Sequence, residues 1–319
     1  MNPALPQLPE EFLALLASVV PAPRREAVLA SFAAEKPVTF RANRLKTSPA
    51  HLRAELEQAG FSPQPIPWYA DAFSLPQEAK RALTESAAFY AGRLYIQNLA
   101  SMLAPLALDP QPGETVLDLA AAPGGKATQI AALMGNEGRL SVVEAIKPRF
   151  FRLKANLEQQ GVSIARAFLM DGRLVGRKCP QMFDRILLDA PCSSEARFTR
   201  LDPGSWAHWS PRKVKETARK QKGLIAAAWA ALKPGGTLVY CTCSFSPEEN
   251  ELIVQELLRK HGAEAVIEDW RPKLDNVQEG LSDWQGKALN PELAKTLRIL
   301  PDDVMDGFYL AKLRKKDAS

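Results

Sequence analysis

The sequence predicts an α/β protein in which a doubly wound, mainly parallel sheet of seven strands follows a smaller α+β domain. From about Gly113 onward, short apolar runs alternate with stretches of helical character such as Pro148 to Gln160. This alternation is typical of parallel strands that are covered by helices on both faces. The first five strands are predicted at 115–120, 139–145, 165–171, 183–190 and 236–242. Two further candidates, near 265–268 and at 307–313, complete the seven.

The first hundred residues have a different pattern, which predicts a separate small domain. The segment 37–46, PVTFRANRLK, has the composition of a strand, and an amphipathic helix follows it. We expect a helical stretch from about Leu94 to lead into the large sheet, so the two domains are predicted at 1–92 and 93–319. The polar, weakly patterned segment 263–306 is predicted to be a loop-rich insertion before the last strand.

The composition indicates an ordinary globular protein. Of the 319 residues, 46% are apolar and 24% are charged, which excludes the disordered and fibrous classes. The apolar run from Phe12 to Val20 follows Glu10 and Glu11, whereas a secretory signal begins with positive charge. The run is also too short to span a bilayer. We therefore expect a cytoplasmic protein that does not enter membranes.

The cysteine, histidine and charge content narrows the chemistry. Four cysteines in 319 residues are too few for a disulfide scaffold. The cysteines and the three histidines show neither CxxC nor HxxxH spacing, so we predict no structural metal. The net charge of +5 and the pI of about 9.0 permit a nucleic-acid partner without requiring one.

A strand, a turn of small residues and a helix are encoded at 116–134 by VLDLAAAPGGKATQIAALM. A P-loop would need glycine at position 120 and Ser or Thr after Lys126, and the GxGxxG fingerprint is also absent. Small residues let a ligand approach the backbone, and Glu144 ends the next strand, where an acid holds ribose hydroxyls. This combination fits a nucleoside without phosphates, such as S-adenosylmethionine. The alternative is a tight turn without a ligand.

Two further acids fall at predicted strand ends. Asp171 follows AFLM, and Asp189 opens DAPCSS. Either carboxylate alone could simply cap a helix. Because both share their strand-end position with Glu144, a binding role is favoured for the three together. One carboxylate would face the adenine end of the cofactor, and the other its methionine end and a target base.

The sequence DAPC at 189–192 is similar to the [DN]PP[YF] loop of amino-group methyltransferases, but Cys192 replaces the aromatic residue. An exocyclic nitrogen can be methylated directly, whereas carbon 5 of a pyrimidine must first be activated by a thiolate that adds at carbon 6. Cys192 therefore suggests methylation of a pyrimidine carbon. Cys243 follows another predicted strand, whereas Cys179 and Cys241 are interpreted as inert buried thiols.

Three motifs, DLAAAPGGKATQIA, LLDAPCSS and YCTCSFSPEENE, together resemble the Sun-type (RsmB/NOP family) RNA 5-methylcytosine methyltransferases. PVTFRANRLK, GRLYIQNLASML and DGFYLAKL match further landmarks, so the resemblance covers roughly residues 35–314. It implies a Rossmann-like class I methyltransferase domain that binds S-adenosylmethionine, preceded by a small RNA-binding domain.

The resemblance also implies roles for individual residues. Cys243 of TCS would be the nucleophile, Cys192 of PCS would assist release of the methylated base, and Asp189 would border both base and cofactor. The cofactor contacts that it implies are Ala120, Ala121, Ala122, Pro123, Gly124, Gly125, Lys126, Glu144, Asp171 and Asp189.

The chain departs from the family pattern at three places. Glycine usually follows PCS, but Ser194 and Glu195 stand here and are expected to stiffen or reshape that loop. Asn98 occupies a position where an acid is common, and no long additional RNA-binding domain is evident at either end. These differences bear on substrate choice more than on activity.

The segment from Arg197 to Lys222 carries eight basic residues against two acids, with Trp206, His208 and Trp209 among them. Basic helical runs are usually solvated surfaces. Beside a candidate catalytic loop, however, cations can follow phosphates and aromatic rings can stack on bases, which makes an RNA groove a reasonable hypothesis. A cytosine in folded RNA would have to be splayed out to reach the thiol.

These observations predict an S-adenosylmethionine-dependent RNA (cytosine-5-)-methyltransferase that acts on rRNA through a covalent cysteine–cytosine adduct, with tRNA as the second choice. We expect a monomer. One rival is DNA cytosine-5 methylation with Cys192 as nucleophile, but an ENV triplet and a large recognition domain are absent from the sequence. The other is a catalytically silent RNA-binding assembly factor, which would not need both cysteines and every cofactor acid.

Overall fold

The computed structural model describes residues 5–317, so the outermost residues of both predicted domains, 1–4 and 318–319, lie outside it. Its first sheet has four antiparallel strands, β1 (Val38–Ala42), β2 (Gln64–Pro65), β3 (Ala72–Leu75) and β4 (Leu94–Ile96). The order is β2-β3-β1-β4, and Phe40 on β1 pairs with Phe73 on β3 and Ile96 on β4. The strand predicted at 37–46 is therefore confirmed as the central β1.

Five helices accompany this part of the chain, α1 (Glu10–Val19), α2 (Arg25–Ser31), α3 (Pro49–Gln58), α4 (Lys80–Thr84) and α5 (Ala87–Tyr90). The predicted amphipathic helix is confirmed as α3. The Ser48 hydroxyl caps it by accepting a hydrogen bond from the backbone N–H of His51, and proline takes the first helical position. Leu52 and Leu56 of α3 belong to the same buried cluster as Phe40.

The first sheet extends past the predicted division at residue 92. Leu94–Ile96, which we expected to be helical, forms β4 and pairs with β1. The helix begins only at Leu99, after Asn98, whose side chain accepts a hydrogen bond from the N–H of Ala100. The sheet thus places the end of the first domain after Ile96, because a strand cannot be separated from the partner to which it is hydrogen-bonded.

The two amino-terminal helices pack on the second domain rather than on the first sheet. Phe12 of α1 is fully buried, with its ring centroid 4.7 Å from that of Phe198 and 6.1 Å from that of Phe245. Both partners lie in loops that follow strands of the large sheet. The described part of 1–92 therefore contains two packing units, α1–α2 and the four-stranded sheet with its helices.

The large sheet has nine strands in the order β11-β14-β15-β9-β8-β5-β6-β7, with β10 also paired to β15. Strands β5 to β9 are parallel, and the others join antiparallel. The strands are β5 (Thr115–Asp118), β6 (Arg139–Glu144), β7 (Ala165–Leu169), β8 (Phe183–Asp189), β9 (Leu232–Thr242), β10 (Ala265–Ile267), β11 (Val277–Glu279), β14 (Leu297–Ile299) and β15 (Phe308–Lys315), with a separate pair β12 (Asp283–Trp284) and β13 (Lys287–Ala288).

Helices cover both faces of this sheet, as the strand–helix alternation predicts. They are α6 (Leu99–Leu108), α7 (Gly125–Leu133), α8 (Lys147–Gln159), α9 (Val175–Lys178), α10 (Pro211–Ala231) and α11 (Glu251–His261). Successive strand residues belong to opposite cores: Val116 and Leu187 lie in one buried cluster, and Leu117 and Leu188 in the other. Because side chains alternate across a strand, continuous apolar runs are what a sheet buried on both faces requires.

All seven predicted strands are present, so the predicted fold class is confirmed. The sheet is nine-stranded rather than seven-stranded because β11 and β14 add to it. β11 and β14 both lie in the segment 263–306, most of which lies outside strands and helices, as predicted. Each has only three residues, too few for a two-residue period to stand out in the sequence.

The strand order of the sheet reverses between β5 and β8, which makes this place the topological switch point of the fold. From β5 the sheet extends through β6 to β7 on one side, and β8 then pairs with the other side of β5. In open α/β sheets, ligands bind in the crevice at the carboxyl ends of such neighbouring strands.

Between residues 5 and 317, no helix combines the length and apolar character needed to cross a bilayer.

Candidate active site

An open cavity of about 880 Å³ lies at this switch point, at the carboxyl ends of the parallel strands. Every predicted site residue except Gly124 lines the cavity, and Gly124 lies in the same turn. The lining members of that set are Ala120, Ala121, Ala122, Pro123, Gly125, Lys126, Glu144, Asp171, Asp189, Cys192 and Cys243. Residues spread over more than a hundred positions of sequence therefore meet in one place, because parallel strands all end at one edge.

The glycines of the turn between β5 and α7 are required by geometry. Gly124 has a φ of +112°, a left-handed conformation that side chains disfavour. At Gly125 a Cβ atom would lie 3.0 Å from the Tyr95 ring, so the first sheet closes tightly on the start of α7. The turn thus presents backbone rather than side chains to the cavity, as the sequence predicts.

Asp118, at the end of β5, is a site residue that sequence reasoning missed. It lines the cavity, is 1% exposed, and neither carboxylate oxygen has a hydrogen-bond partner within residues 5–317. Burial, and then the nearby charge of Asp189, raise the pKa of Asp118 to about 7. A buried acid without a donor is costly, which points to a ligand that supplies one. The signal in the sequence was an aspartate inside the apolar run TVLDLA.

Lys126 and Asp189 form an ion pair at the floor of the cavity. The Lys126 Nζ lies 2.6 Å from Asp189 Oδ2 and 2.6 Å from the Ser101 hydroxyl. Burial is the largest influence and acts to lower the pKa of Lys126, but the charge of Asp189, the neighbouring Cys241 and the hydrogen bond to Asp189 together outweigh it, so the net shift is upward. The amine therefore stays charged, and Asp189, whose side chain is 31% exposed, presents its other edge to the cavity.

Glu144 and Asp171 lie at the ends of β6 and β7, but their surroundings differ. Glu144 is buried, accepts a 2.8 Å hydrogen bond from the N–H of Ile146, and lies 3.8 Å from Arg149. Asp171 caps a short 3₁₀ helix and forms a forked ion pair with Arg173, which holds the pKa of its carboxyl below the ordinary value. The capping interpretation thus applies to Asp171, although its side chain also lines the cavity.

Cys192 and Cys243, the two cysteines predicted to be catalytic, both line the cavity and contact each other. Their Sγ atoms are 3.2 Å apart, with Cys192 after β8 and Cys243 after β9. The hydrogen bond from Cys192, aided by the charge of Arg197, lowers the pKa of Cys243 to about 7 against the burial that opposes it. The same hydrogen bond, together with burial, raises the pKa of Cys192 well above the ordinary value. As the pH rises through about 7, the pair therefore loses its first proton from Cys243, while Cys192 stays a thiol.

The other two cysteines are not part of this pair. Cys241 is fully buried in β9, and burial raises the pKa of its thiol well above the ordinary value. Cys179 is half-buried and packs against the core that contains Trp229. Both placements agree with inert thiols, although Cys241 Sγ lies 3.7 Å from Asp189 Oδ1 and so borders the site.

Ser194, in the position where the family usually has glycine, adopts the left-handed conformation with φ of +60°. This is the backbone geometry for which glycine is favoured, so serine adopts it at some conformational cost. Glu195 turns inward and is fully buried, in contact with the loop that follows Cys243.

The basic segment 197–222 is only partly available to RNA. The Trp209 indole donates to Glu195 and packs with Phe12, so it is not free to stack on a base. Arg212 lies 3.2 Å from Glu216 on the same helix. Arg197 and Lys220, however, line the cavity itself.

A second group of cations was missed by sequence reasoning. The start of α8, KPRFFRLK, carries four cations and no acid, and all four are exposed. Arg149 and Arg152 line the cavity, and the Phe151 ring is 55% exposed beside them. The signal in the sequence was a run of four cations without an acid, starting shortly after Glu144. Across residues 5–317, no cluster of three or more potential ligands for a metal ion occurs.

A family model described as 16S rRNA methyltransferase RsmB/F matches residues 105–314, and a model of the N-terminal domain of 16S rRNA methyltransferase RsmF matches residues 8–99. The chain therefore belongs to the RsmB/F methyltransferase family. The class of fold, an α/β methyltransferase domain with a separate amino-terminal domain, agrees with this assignment.

Individual relatives support the same family. The chain is 39% identical over 284 residues to a tRNA (cytosine(49)-C(5))-methyltransferase from Pyrococcus abyssi, covering 87% of this chain and 88% of the relative. It is 36% identical over 315 residues to ribosomal RNA small subunit methyltransferase F from Vibrio atlanticus, covering 97% of this chain but 64% of that protein. A crystal structure of a methyltransferase homolog from Pyrococcus horikoshii superimposes with a TM-score of 0.78 at 32% identity, covering 97% of this chain and all of the other.

Proposed function

We propose that the protein is an S-adenosylmethionine-dependent RNA methyltransferase that forms 5-methylcytosine in rRNA. The observation that carries this proposal is the pair of thiols 3.2 Å apart at the rim of a cavity lined by acids. Methylation at carbon 5 needs a thiolate to activate the ring and a second group to end the covalent state, whereas methylation at nitrogen needs neither.

The cavity suits a nucleoside that carries a positive charge. The unpartnered carboxylate of Asp118 and the edge of Asp189 offer acceptors to an ammonium group, and Glu144 offers acceptors to ribose hydroxyls. Small residues at 120–125 admit a ligand against the backbone. S-adenosylmethionine has all of these groups and, when bound, supplies an electrophilic methyl on its sulfonium. We propose the ten residues predicted from the sequence, with Asp118 added, as its binding site.

The chain's own residues then act on a cytosine. The Cys243 thiolate adds to carbon 6, and the electron pair moves to carbon 5, which becomes nucleophilic enough to take the methyl group. Asp189, held by Lys126, faces the space where the base enters. Removal of the proton from carbon 5 returns the electrons to the ring. The bond between sulfur and carbon 6 then breaks and regenerates the thiolate.

Cys192 is suited to the final proton removal. Its pKa is raised first by the hydrogen bond to Cys243 and also by the charge of that neighbour. Once Cys243 is a thioether bound to the base, neither effect remains, and only burial and Glu249 still disfavour the Cys192 thiolate. Adduct formation therefore lowers the pKa of Cys192 and makes its thiolate, the form that can accept a proton, easier to populate at the step that needs a base.

The two rival functions are less well supported. A DNA-type mechanism would use Cys192 as nucleophile, yet Cys192 is the thiol whose pKa is raised and Cys243 the one whose pKa is lowered. A silent RNA-binding factor would have no use for the unpartnered Asp118 in the cavity. Binding of S-adenosylmethionine in a thermal-shift titration separates that factor from an enzyme.

The RNA substrate is proposed from the relatives and the surface charge. Curated relatives named as rRNA small subunit methyltransferase F favour rRNA, and the relative named as a tRNA methyltransferase makes tRNA the second candidate. Cations line both sides of the cavity, on α8 and near α10. A monomeric state and a cytoplasmic location remain our predictions.

Bisulfite sequencing tests the proposal. Total RNA from a strain that lacks the gene should lose one or more 5-methylcytosines in 16S rRNA, and re-expression of the wild-type protein should restore them. Loss of the signal only in tRNA would select the second substrate. Unchanged RNA together with no transfer of labelled methyl from S-adenosylmethionine to either RNA in vitro would refute the proposed activity.

A further inference from the structure

Glu195 is a buried carboxylate whose partners are all uncharged. It is 0% exposed, and its two oxygens accept five hydrogen bonds. Oε2 accepts from the Ser244 hydroxyl at 3.0 Å and from the N–H groups of Phe245 and Ser246 at 2.8 and 2.9 Å. Oε1 accepts from the Ser246 hydroxyl at 2.6 Å and from the Trp209 indole at 2.8 Å. A buried ionised carboxylate is tolerated when donors of this number surround it.

These bonds join the two loops that carry the catalytic cysteines. Glu195 lies three residues after Cys192, and four of its five donors come from the three residues that follow Cys243. The backbone adds one more connection, because the N–H of Ala196 donates to the carbonyl of Cys243 at 3.1 Å. The loops are therefore fastened to each other immediately beyond the thiols.

Neighbouring groups hold the other side of the Cys192 loop. The N–H and hydroxyl of Ser193 both donate to Glu249, which is fully buried near the start of α11. The Ser193 and Ser244 hydroxyls are 3.2 Å apart, so the two carboxylates belong to one network. Of these two carboxylates, Glu195 is the one that accepts from the backbone after Cys243, and it adds four bonds to the links made by Ala196 and by the two serine hydroxyls.

We propose that Glu195 is a positioning residue that holds the Cys243 loop against the Cys192 loop, so that the Cys192 thiol can donate its hydrogen bond to the Cys243 thiolate. This inference rests on the proposed function for its catalytic meaning. The alternative is that Glu195 stabilises the fold without affecting the thiols. The 3.2 Å contact between the two Sγ atoms weakens steeply if the loops move apart. Loss of Glu195 should therefore raise the pKa of Cys243 if Glu195 is a positioning residue, and leave it unchanged if Glu195 only stabilises the fold.

Glu195→Gln is the decisive substitution because glutamine has the shape of glutamate but replaces one of the two acceptor oxygens with an NH₂ group, which only donates. Whichever oxygen becomes the NH₂ group, it faces donors: two backbone N–H groups and a hydroxyl at Oε2, or an indole N–H and a hydroxyl at Oε1. A backbone or indole N–H cannot reverse its role, so each orientation breaks at least one bond: on the Oε2 side the loop after Cys243 must move, and on the Oε1 side Trp209 loses its acceptor.

The readout is the rate at which iodoacetamide alkylates Cys243 as a function of pH. The folded protein is alkylated without RNA or cofactor, and its peptides are then analysed by mass spectrometry. In wild type we expect the rate to rise with a midpoint near pH 7. In Glu195→Gln we expect the midpoint to move towards that of an ordinary thiol, with the rate at pH 7 lower by at least about fivefold. Methyl transfer should lose kcat, with the KM for S-adenosylmethionine unchanged.

Glu114→Gln is the matched control, because it breaks a 2.7 Å ion pair with Arg185 at the opposite end of the sheet. If Glu195→Gln leaves the Cys243 profile unchanged, as the control should, the inference is overturned, whatever the change in melting temperature. If Glu195→Gln does not fold, Ser246→Ala decides, since it removes one donor and should shift the midpoint upward by a smaller amount. An unshifted Ser246→Ala profile overturns the inference as well. A shifted profile in a protein that methylates no RNA would refute the proposed function alone.

Discussion

At the scale of single residues, Cys192 and Cys243 show how surroundings differentiate identical side chains. Their contact lowers the pKa of one thiol and raises that of the other, because a shared hydrogen bond stabilises a thiolate on the acceptor side only. Arg197 favours the charge on Cys243, whereas Glu249 disfavours one on Cys192. The attack by Cys243 and the proton removal by Cys192 that we propose rest on this asymmetry.

This asymmetry predicts the pH dependence of the reaction. Because the pKa of Cys243 is lowered to about 7, its thiolate fraction, and with it alkylation, should rise between pH 6 and 8 and level off above. Cys192→Ala removes the largest cause of the lowered pKa, so its Cys243 midpoint should move upward. Cys179→Ala serves as the control and should leave the profile in place. A Cys192→Ala profile that coincides with wild type would contradict the assignment.

Glu144 offers a residue-level test of cofactor binding. Glu144→Gln keeps the shape but replaces a charged acceptor, which should weaken S-adenosylmethionine binding by ~1–3 kcal/mol. Isothermal titration calorimetry measures this directly. Glu137→Gln, an exposed carboxylate at the opposite end of the same strand, should leave the dissociation constant unchanged. Equal constants for wild type and Glu144→Gln would remove Glu144 from the site.

The site residues that sequence reasoning found are those that end a strand in a recognisable motif, such as Asp189 and Cys243. Asp118 was missed because an acid in a strand becomes informative only when its oxygens are seen to lack donors. The role of Glu195 was missed because its five donors lie up to 51 residues away in sequence, and their convergence is a property of the folded chain.

At the scale of elements, two basic helices border the cavity with different amounts of free charge. On α10, Arg212 and Lys213 lie 3.2 and 3.9 Å from Glu216. The first two turns of α8 contain no acid at all. Cations that are already paired release fewer counterions when RNA binds, so α8 should contribute more to RNA affinity than α10.

Triple alanine substitutions test this comparison at equal charge. Lys147, Arg152 and Lys154 form the α8 set, and Arg212, Lys213 and Lys215 the α10 set. Each should weaken RNA binding and flatten its dependence on salt, with the α8 set lowering the log–log slope by up to about 2 and the α10 set by less. Filter binding across a salt series measures both slopes. Slopes unchanged from wild type in both sets would place the RNA elsewhere.

Elements with a full period were predictable, whereas among the three-residue strands that the structure describes only β10 was predicted. The seven predicted strands and helices α8 and α10 needed only runs of apolar residues at the right spacing. Strands β4, β11 and β14 have three residues each, and their pairing partners rather than their own sequences make them strands. Tertiary context of this kind overrides local propensity.

At the scale of the whole molecule, the amino-terminal part is joined to the site at two points. Arg41 of β1 is 1% exposed and donates to the carbonyl of Gly125 at 3.1 Å and to the Thr128 hydroxyl at 2.6 Å, at the start of α7. Burial lowers the pKa of Arg41 to about 10, so its guanidinium is still charged at neutral pH. Phe12 of α1 packs on the loops beyond both cysteines through Phe198 and Phe245.

This arrangement could not be predicted from the sequence. The apolar face of α1 indicated a helix with one buried side. The residues that cover this side, such as Phe198 and Phe245, lie in loops roughly 200 residues later in the chain. The helix expected from about Leu94 was wrong for the same reason, since Leu94–Ile96 becomes a strand by pairing with β1, more than 50 residues earlier in the chain. Local patterns identify the two sheets, and long-range packing decides how they meet.

The most direct test of the central claim is the covalent adduct formed by alanine variants of the two cysteines. The purified variants are incubated with substrate RNA and S-adenosylmethionine and separated on denaturing gels. Cys192→Ala should attack and methylate but fail to release the base, so a protein–RNA species should accumulate. Cys243→Ala should form no adduct and transfer no methyl. Accumulation of the adduct by Cys243→Ala would reverse the two roles, and full turnover by both variants would contradict the covalent mechanism itself.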